Sequence, residues 1–408
     1  MNIRQYGLCV LLAVASNSIA AVPERSISPG HYLALAADCA ACHTAEKGTP
    51  FAGGLKMDTP IGAIYSTNIT PDAQTGIGQY SYQDFARALR EGKARNGHYL
   101  YPAMPYTAFS KFDDQQLHDL YTYFTQEVPA VRQENRKSDI PWPLNIRWPL
   151  WVWNMMFHDD ERYLNDPLKS AEWNRGAWLV MAPGHCGSCH TPRGIAMQEK
   201  GLDHNDSAYL SGGTINGWHA PDLRGNNVRG LGSWTQQDII NFLKTGQNDR
   251  TMAFGSMADV VQQSTQHLTP ADLSAIAVFL KSLPPGKFSS SPASEDYAEA
   301  QYPGAALYQD NCAACHRSDG RGYTHTFPAL ASNPALLGDD PSSLVSMILH
   351  GGRAAVTERA LTGMRMPGFG WRLTDQQVAE LSNYVRNSWG NQASDVTAEQ
   401  VKKLRKGE

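Results

Sequence analysis

Six of the seven cysteines lie in one five-residue phrase, C-x-x-C-H. It reads CAACH at Cys39–His43, CGSCH at Cys186–His190 and CAACH again at Cys312–His316. Two thiols three residues apart stand on one helical turn. Both sulfurs can then add to the two vinyl groups of one porphyrin, and the adjoining imidazole falls beneath the iron. Cys39 and Cys42, Cys186 and Cys189, and Cys312 and Cys315 are therefore the expected attachment points of three covalently bound haem c groups. His43, His190 and His316 are the expected proximal iron ligands. A redox dithiol would explain the cysteines but not the three histidines. A structural zinc takes four ligands, usually from two such pairs folded together, and phrases in separate repeats do not combine that way.

The sixth iron ligand decides the chemistry. Methionine fills the position and raises the potential, which suits electron transfer; an open position suits ligand binding or peroxide chemistry. A methionine-bearing segment follows each phrase: YPAMPY, FGSMADVV and MRMPGF. Met104, Met257 and Met366 are the expected axial ligands, 61, 67 and 50 residues after their histidines (104−43, 257−190, 366−316). Met252 and Met364 are rivals, and His98 is an alternative to Met104. The other histidines, such as His158, His204 and His219, read as surface or satisfied loop residues. Pro221 and Pro328 stand where a carbonyl could accept the proximal ring N–H. The first repeat has Asn68-Ile69 there, which leaves its acceptor open. Arg193 could pair a haem propionate or stand in solvent.

These residues must be positioned by a repeat. A helix-like entry precedes each phrase, a helix ending in glycine follows (FARALREG, IINFLKTG, LVSMILHGG), and an amphipathic helix closes each unit. In the closing helices Leu117, Leu120, Tyr121 and Phe124 repeat at i, i+3, i+4, i+7, as do Leu273, Ile276, Ala277 and Leu280, and Val378, Leu381, Ser382 and Val385. That spacing predicts one buried face. The expected fold class is all-α, with domains at 28–128, 170–287 and 300–390. A connector spans 129–169, a Ser/Pro-rich linker 288–299 and a short basic tail 391–408. The connector holds Trp142, Trp148, Trp151 and Trp153. Its composition favours a strap buried across domain surfaces over a docking face for a partner subunit or a quinone.

With 42% hydrophobic and 18% charged residues, the chain has ordinary globular composition. A net charge of −4 implies no polyanion-binding surface. Arg4, the apolar run Gly7 to Ala15 and the small residues Ser18 to Ala21 read as a secretory leader over 1–21, which would remove Cys9. Export agrees with haem attachment outside the bacterial cytoplasm.

The haem phrases together with STNITPD, YPAMPYTAFSKFDDQQLHDLY, WPLNIRWPLW, FHDD, SAEWNRGAWLV and STQHLTPADLSAIAVFLKSLP resemble the triheme cytochrome c subunit of bacterial membrane-bound dehydrogenases, which act on gluconate, other sugar acids, polyols, fructose or alcohols. The resemblance covers nearly the whole mature chain. It implies three tandem class I-like cytochrome c domains and an electron-transfer subunit without a catalytic site of its own. A flavin or quinoprotein dehydrogenase subunit, with or without a small subunit, would deliver electrons; ubiquinone would receive them at the periplasmic face of the cytoplasmic membrane. A free periplasmic multihaem carrier and a peroxidase-like multihaem enzyme are the alternatives. Some relatives end in a longer amphipathic tail, whereas this tail, with Lys402, Lys403, Arg405 and Lys406, is expected to touch anionic lipid only weakly.

Overall fold

The computed structural model describes residues 27–215, 217–286 and 303–407. The expected leader and linker lie outside the described residues. In the first repeat, α1 (Pro29–Ala36) leads into α2 (Cys39–His43), followed by α3 (Tyr82–Glu91), α4 (Tyr106–Phe109) and α5 (Asp114–Thr122). The connector holds α6 (Leu150–Phe157). The second repeat holds α7 (Ala171–Met181), α8 (Gly187–His190), α9 (Gln236–Thr245), α10 (Ser256–Gln263) and α11 (Pro270–Ser282). The third holds α12 (Gly304–Asn311), α13 (Ala313–His316), α14 (Ser342–His350) and α15 (Asp375–Asn387), and α16 (Ala398–Lys406) follows.

Local chemistry explains where these helices start and stop. Ser81, Asp113, Thr235 and Thr374 each accept from the third helical amide, and Asp84, Gln116, Asp238 and Gln377 reach back to the cap amide. Each capping box satisfies two orphan donors. Gly92 and Gly246 end α3 and α9 at φ 59° and 77°, where a Cβ would be strained.

In every repeat the entry helix packs on the closing helix: α1 on α5, α7 on α11, α12 on α15. The closest approach is a glycine. A Cβ on Gly30 would lie 2.0 Å from the Asp119 carbonyl oxygen, on Gly176 1.9 Å from that of Ala275, and on Gly304 2.2 Å from that of Glu380. Backbone-to-backbone contact at each crossing brings the periodic apolar faces together. Leu117, Leu120 and Phe124, then Leu273, Ile276, Ala277 and Leu280, then Val378, Leu381, Ser382 and Val385 are all buried.

The first two repeats share one continuous hydrophobic core running from Leu33 through Phe124 and Trp178 to Leu283. The third has its own, which takes in Val396 and Val401. A polar clamp reinforces the junction between repeats one and two. Arg175 donates twice to Asp272, at 2.7 and 2.8 Å, and the Tyr32 hydroxyl donates to the same carboxylate at 2.6 Å. Burial pushes the Asp272 carboxyl up, but the bonds from Arg175 and Tyr32 outweigh it and hold the group below its usual range. A carboxylate held low in the fold stabilises it fully above the unfolded value of about 3.9, and that stabilisation is lost as pH falls through the folded value. Melting temperature should therefore drop more steeply between about pH 5 and about pH 3 in the parent than in Asp272→Asn, as read by circular dichroism.

Two expectations need correction. The fold is not all helix: β1 (Lys56–Met57) pairs with β2 (Ile64–Tyr65), β3 (Gly213–Ile215) with β4 (Trp218–Ala220), and β5 (Gly352–Arg353) with β6 (Arg365–Met366), all antiparallel. Strands of two or three residues are too short to show alternation. The Trp-rich connector is not a buried strap either. Trp142 is 78%, Trp148 65% and Met155 68% exposed. An eight-residue helix turns only one face inward. On that face Asn154 donates to the Glu91 carbonyl and accepts from Tyr106, while the Trp153 indole donates to the Ala196 carbonyl. Trp151, Met155 and Met156 stay outside.

The tail forms a helix that packs back on the third repeat. The helix α16 lies on the third core through Val401 and Leu404, and Arg405 bonds to Asp375 and to the Gly370 and Leu373 carbonyls. Arg405 is therefore engaged within the fold. No described helix is long and apolar enough to cross a membrane.

Candidate haem sites

The three histidines share one geometry. His43 Nδ1 lies 2.7 Å from the Thr67 carbonyl oxygen, His190 Nδ1 2.7 Å from that of Pro221, and His316 Nδ1 3.0 Å from that of Pro328. A carbonyl only accepts, so Nδ1 carries the proton and Nε2 keeps its lone pair. Burial pushes all three imidazoles down, His190 to about 4, against the smaller upward effect of these hydrogen bonds. A neutral ring oriented from behind, with a free Nε2, is a metal-ligating histidine's arrangement.

The cysteines fit the same group. None of the six forms a disulfide. Burial raises the thiols of Cys39, Cys42, Cys186, Cys189 and Cys312, with Cys42 at about 11 and Cys186 and Cys312 at about 12. They remain S–H, the species whose hydrogen and sulfur add across a vinyl double bond.

The first and second phrases lie close together. Cys42 and Cys189 are near enough for one to raise the other's thiol, and α10 packs directly on α2. Between them sits Asp38 at φ 50°, a conformation few non-glycine residues adopt. Burial and the neighbouring Asp259 push its carboxyl up to about 8. The third phrase packs in its own core, with Cys312 beside Tyr308.

The three methionines are half-buried, Met104 in the loop before α4, Met257 in the first turn of α10 and Met366 on a short strand. Tyr99 bridges Lys93 just after the glycine that ends α3, and Met252 bridges Gln247 just after the glycine that ends α9. The next residue in each case, Leu100 or Ala253, donates its amide to that glycine's carbonyl at 2.7 Å. Met104 lies five residues beyond Tyr99 (104−99), and Met257 five beyond Met252 (257−252). Met257 thus occupies in the second repeat the place Met104 has in the first, while Met252 occupies that of Tyr99. Met366 lies on β6, paired with Gly352. His98 is exposed on a tight turn in which Gly97 donates to Ala94.

Sequence reading missed several second-row groups. In the first repeat the acceptor is Thr67, one residue before the Asn68-Ile69 pair; a backbone carbonyl needs no proline. Arg193 is neither solvated nor turned outward: it donates to the Ser188 and Met197 carbonyls beside Glu199. His158 packs edge-on to Tyr106, and His204 sits against Trp173 and Phe279. The entry-helix glycines carried a legible signal, because Gly30, Gly176 and Gly304 precede their phrases by nine, ten and eight residues (39−30, 186−176, 312−304).

The sequence pattern of the cytochrome c family matches residues 27–126, 174–284 and 302–389. The chain is 49% identical over 401 residues to the gluconate 2-dehydrogenase cytochrome c subunit of Pantoea cypripedii, covering 94% of this chain and 90% of that one. It is 46% identical over 408 residues to the cytochrome c subunit of the quinone-dependent alcohol dehydrogenase of Gluconacetobacter polyoxogenes, covering 96% and 87%. It is 39% identical over 412 residues to the fructose dehydrogenase cytochrome subunit of Gluconobacter japonicus, covering 94% and 83%.

Proposed function

The chain belongs to the cytochrome c family, and on that premise we propose that it is the three-haem electron-transfer subunit of a membrane-associated dehydrogenase complex. The observation that carries this reading is the threefold recurrence of C-x-x-C-H with its imidazole tied at Nδ1 to a backbone carbonyl. Bound haem c supplies a one-electron iron couple. The chain's own part is to hold each group, order its ligands and surround it with apolar side chains that set the potential. His43, His190 and His316 are the proximal ligands in this reading, and Met104, Met257 and Met366 the distal ones. In this reading the three domains are those expected from the repeats, 28–128, 170–287 and 300–390.

Electrons enter from a flavin or quinoprotein subunit acting on a gluconate-, alcohol- or fructose-like substrate and leave to ubiquinone. The exposed tryptophan and methionine face of the connector supports a subunit that meets a partner there. The leader-like start of the chain supports a periplasmic site of action. Isolation of the native complex tests all of this. Mass spectrometry should find three covalent haems on the chain, and a dehydrogenase subunit should co-purify and reduce ubiquinone only when this chain is present. Two haems or fewer, or a chain that purifies alone and leaves quinone reduction unchanged, would overturn the reading.

The repeat geometry also separates the two methionines of the second domain. Met257→Ala should remove one third of the long-wavelength charge-transfer absorption of methionine-ligated ferric haem, and Met252→Ala should leave it intact. The reverse pattern would move the ligand to Met252.

A further inference from the structure

In the second and third repeats a proline carries the carbonyl that orients the haem histidine, and the pyrrolidine ring restricts the backbone there. The first repeat has Thr67 at that position, so its acceptor carbonyl lacks this restraint. A strap that follows the closing helix takes over. The Thr67–Asn68 peptide accepts from His43 at its carbonyl, at 2.7 Å, and donates its own N–H to Asn135 Oδ1, also at 2.7 Å. Asn135 is itself fixed by donating from Nδ2 to the Thr75 carbonyl at 2.8 Å. Buried Asn68 donates from Nδ2 to the Val131 carbonyl at 2.7 Å and to the Thr75 hydroxyl at 3.1 Å. Gln133 donates to the Ala52 and Gly53 carbonyls behind the same peptide. No side chain accepts from the corresponding Asp222 or Ala329 amide among the described residues.

We propose that Asn135 is a positioning residue for the first haem site, holding and polarising the Thr67–Asn68 peptide whose carbonyl orients His43. An amide that donates through N–H becomes a stronger acceptor at its oxygen, because hydrogen bonds in a chain reinforce one another. A stronger acceptor draws the Nδ1 proton and makes Nε2 more electron-rich. That favours the ferric over the ferrous iron and lowers the first site's potential relative to an unsupported histidine.

The inference rests on His43 being the proximal ligand of the first haem, and the test keeps the two ideas apart. The full chain is titrated potentiometrically as parent, Asn135→Leu and Asn135→Asp, and the haem count is read by mass in the same samples. Asn135→Leu removes the acceptor and should shift one of three redox steps upward. At fixed potential the reduced-to-oxidised ratio of that haem should rise about threefold, with the other two steps in place. Asn135→Asp keeps an oxygen acceptor and should leave that step in place or lower it. Three unmoved steps in Asn135→Leu overturn the proposal. So does an equal upward shift in both variants, which would assign the effect to strap packing. A parent lacking the first haem overturns the reading of His43 instead.

Discussion

A chain carrying Cys186→Ser with Cys189→Ser should weigh one haem less than the parent and lose electron transfer from end to end. The second repeat is the middle of the molecule. It shares a continuous core with the first, and α10 packs against the first haem phrase. Its β3–β4 hairpin is clamped by the third: Ser343 exchanges hydrogen bonds with both backbone groups of His219, at 2.8 and 3.0 Å, and Ser346 donates to the Gly217 carbonyl at 3.2 Å. Both outer repeats therefore pack on the second, and removing the central haem is expected to break the route between them. Haem absorbance per chain should fall by a third, while quinone reduction by the assembled complex falls to that of the dehydrogenase without this subunit. The same double change at Cys39 and Cys42 removes as much colour and serves as the comparison. Retained quinone reduction in the central variant would show that electrons bypass the second site.

Gly176→Val should strongly destabilise the second repeat, whose entry and closing helices cross there. A Cβ there would lie 1.9 Å from the Ala275 carbonyl oxygen and 2.4 Å from its carbon, both backbone atoms of α11. No rotamer change relieves such an overlap, so the helices must separate. Separation costs the packing of Trp173, Ala177 and Val180 against the closing helix, all in the shared core. Overpacking a core costs about 1–3 kcal/mol, and a clash with helix backbone belongs at the upper end or beyond. Against a total stability of about 5–15 kcal/mol, that is a large share. Thermal unfolding followed by circular dichroism should show a melting temperature lower by about 10 °C or more.

Much of the site is legible in the chain because haem attachment is local chemistry. Two sulfurs and an imidazole must fall within one helical turn, so Cys186, Cys189 and His190 are neighbours in sequence as well as in space. Helical periodicity shows equally well, since Leu273, Ile276 and Leu280 repeat at the spacing of a single buried face. The contacts that orient these ligands do not show in this way. Thr67 lies 24 residues from His43, and Asn135 another 68 beyond Thr67 (67−43, 135−67). Neither residue type marks its role, because a main-chain carbonyl looks the same in every sequence.

The connector shows the same limit from another side. Four tryptophans and a run of apolar residues say that Trp142 to Met156 prefer to leave water. Composition does not say which surface receives them. Only the placement of α6, held by Asn154 and Trp153, decides that Trp148 and Met155 face outward. The number of C-x-x-C-H phrases and the helical frame that carries them are determined by the sequence alone, because each depends on residues within a turn or two of one another. The pairing of the first two phrases, the hydrogen bond behind each histidine and the face left open were decided by tertiary structure, because these depend on where distant segments meet.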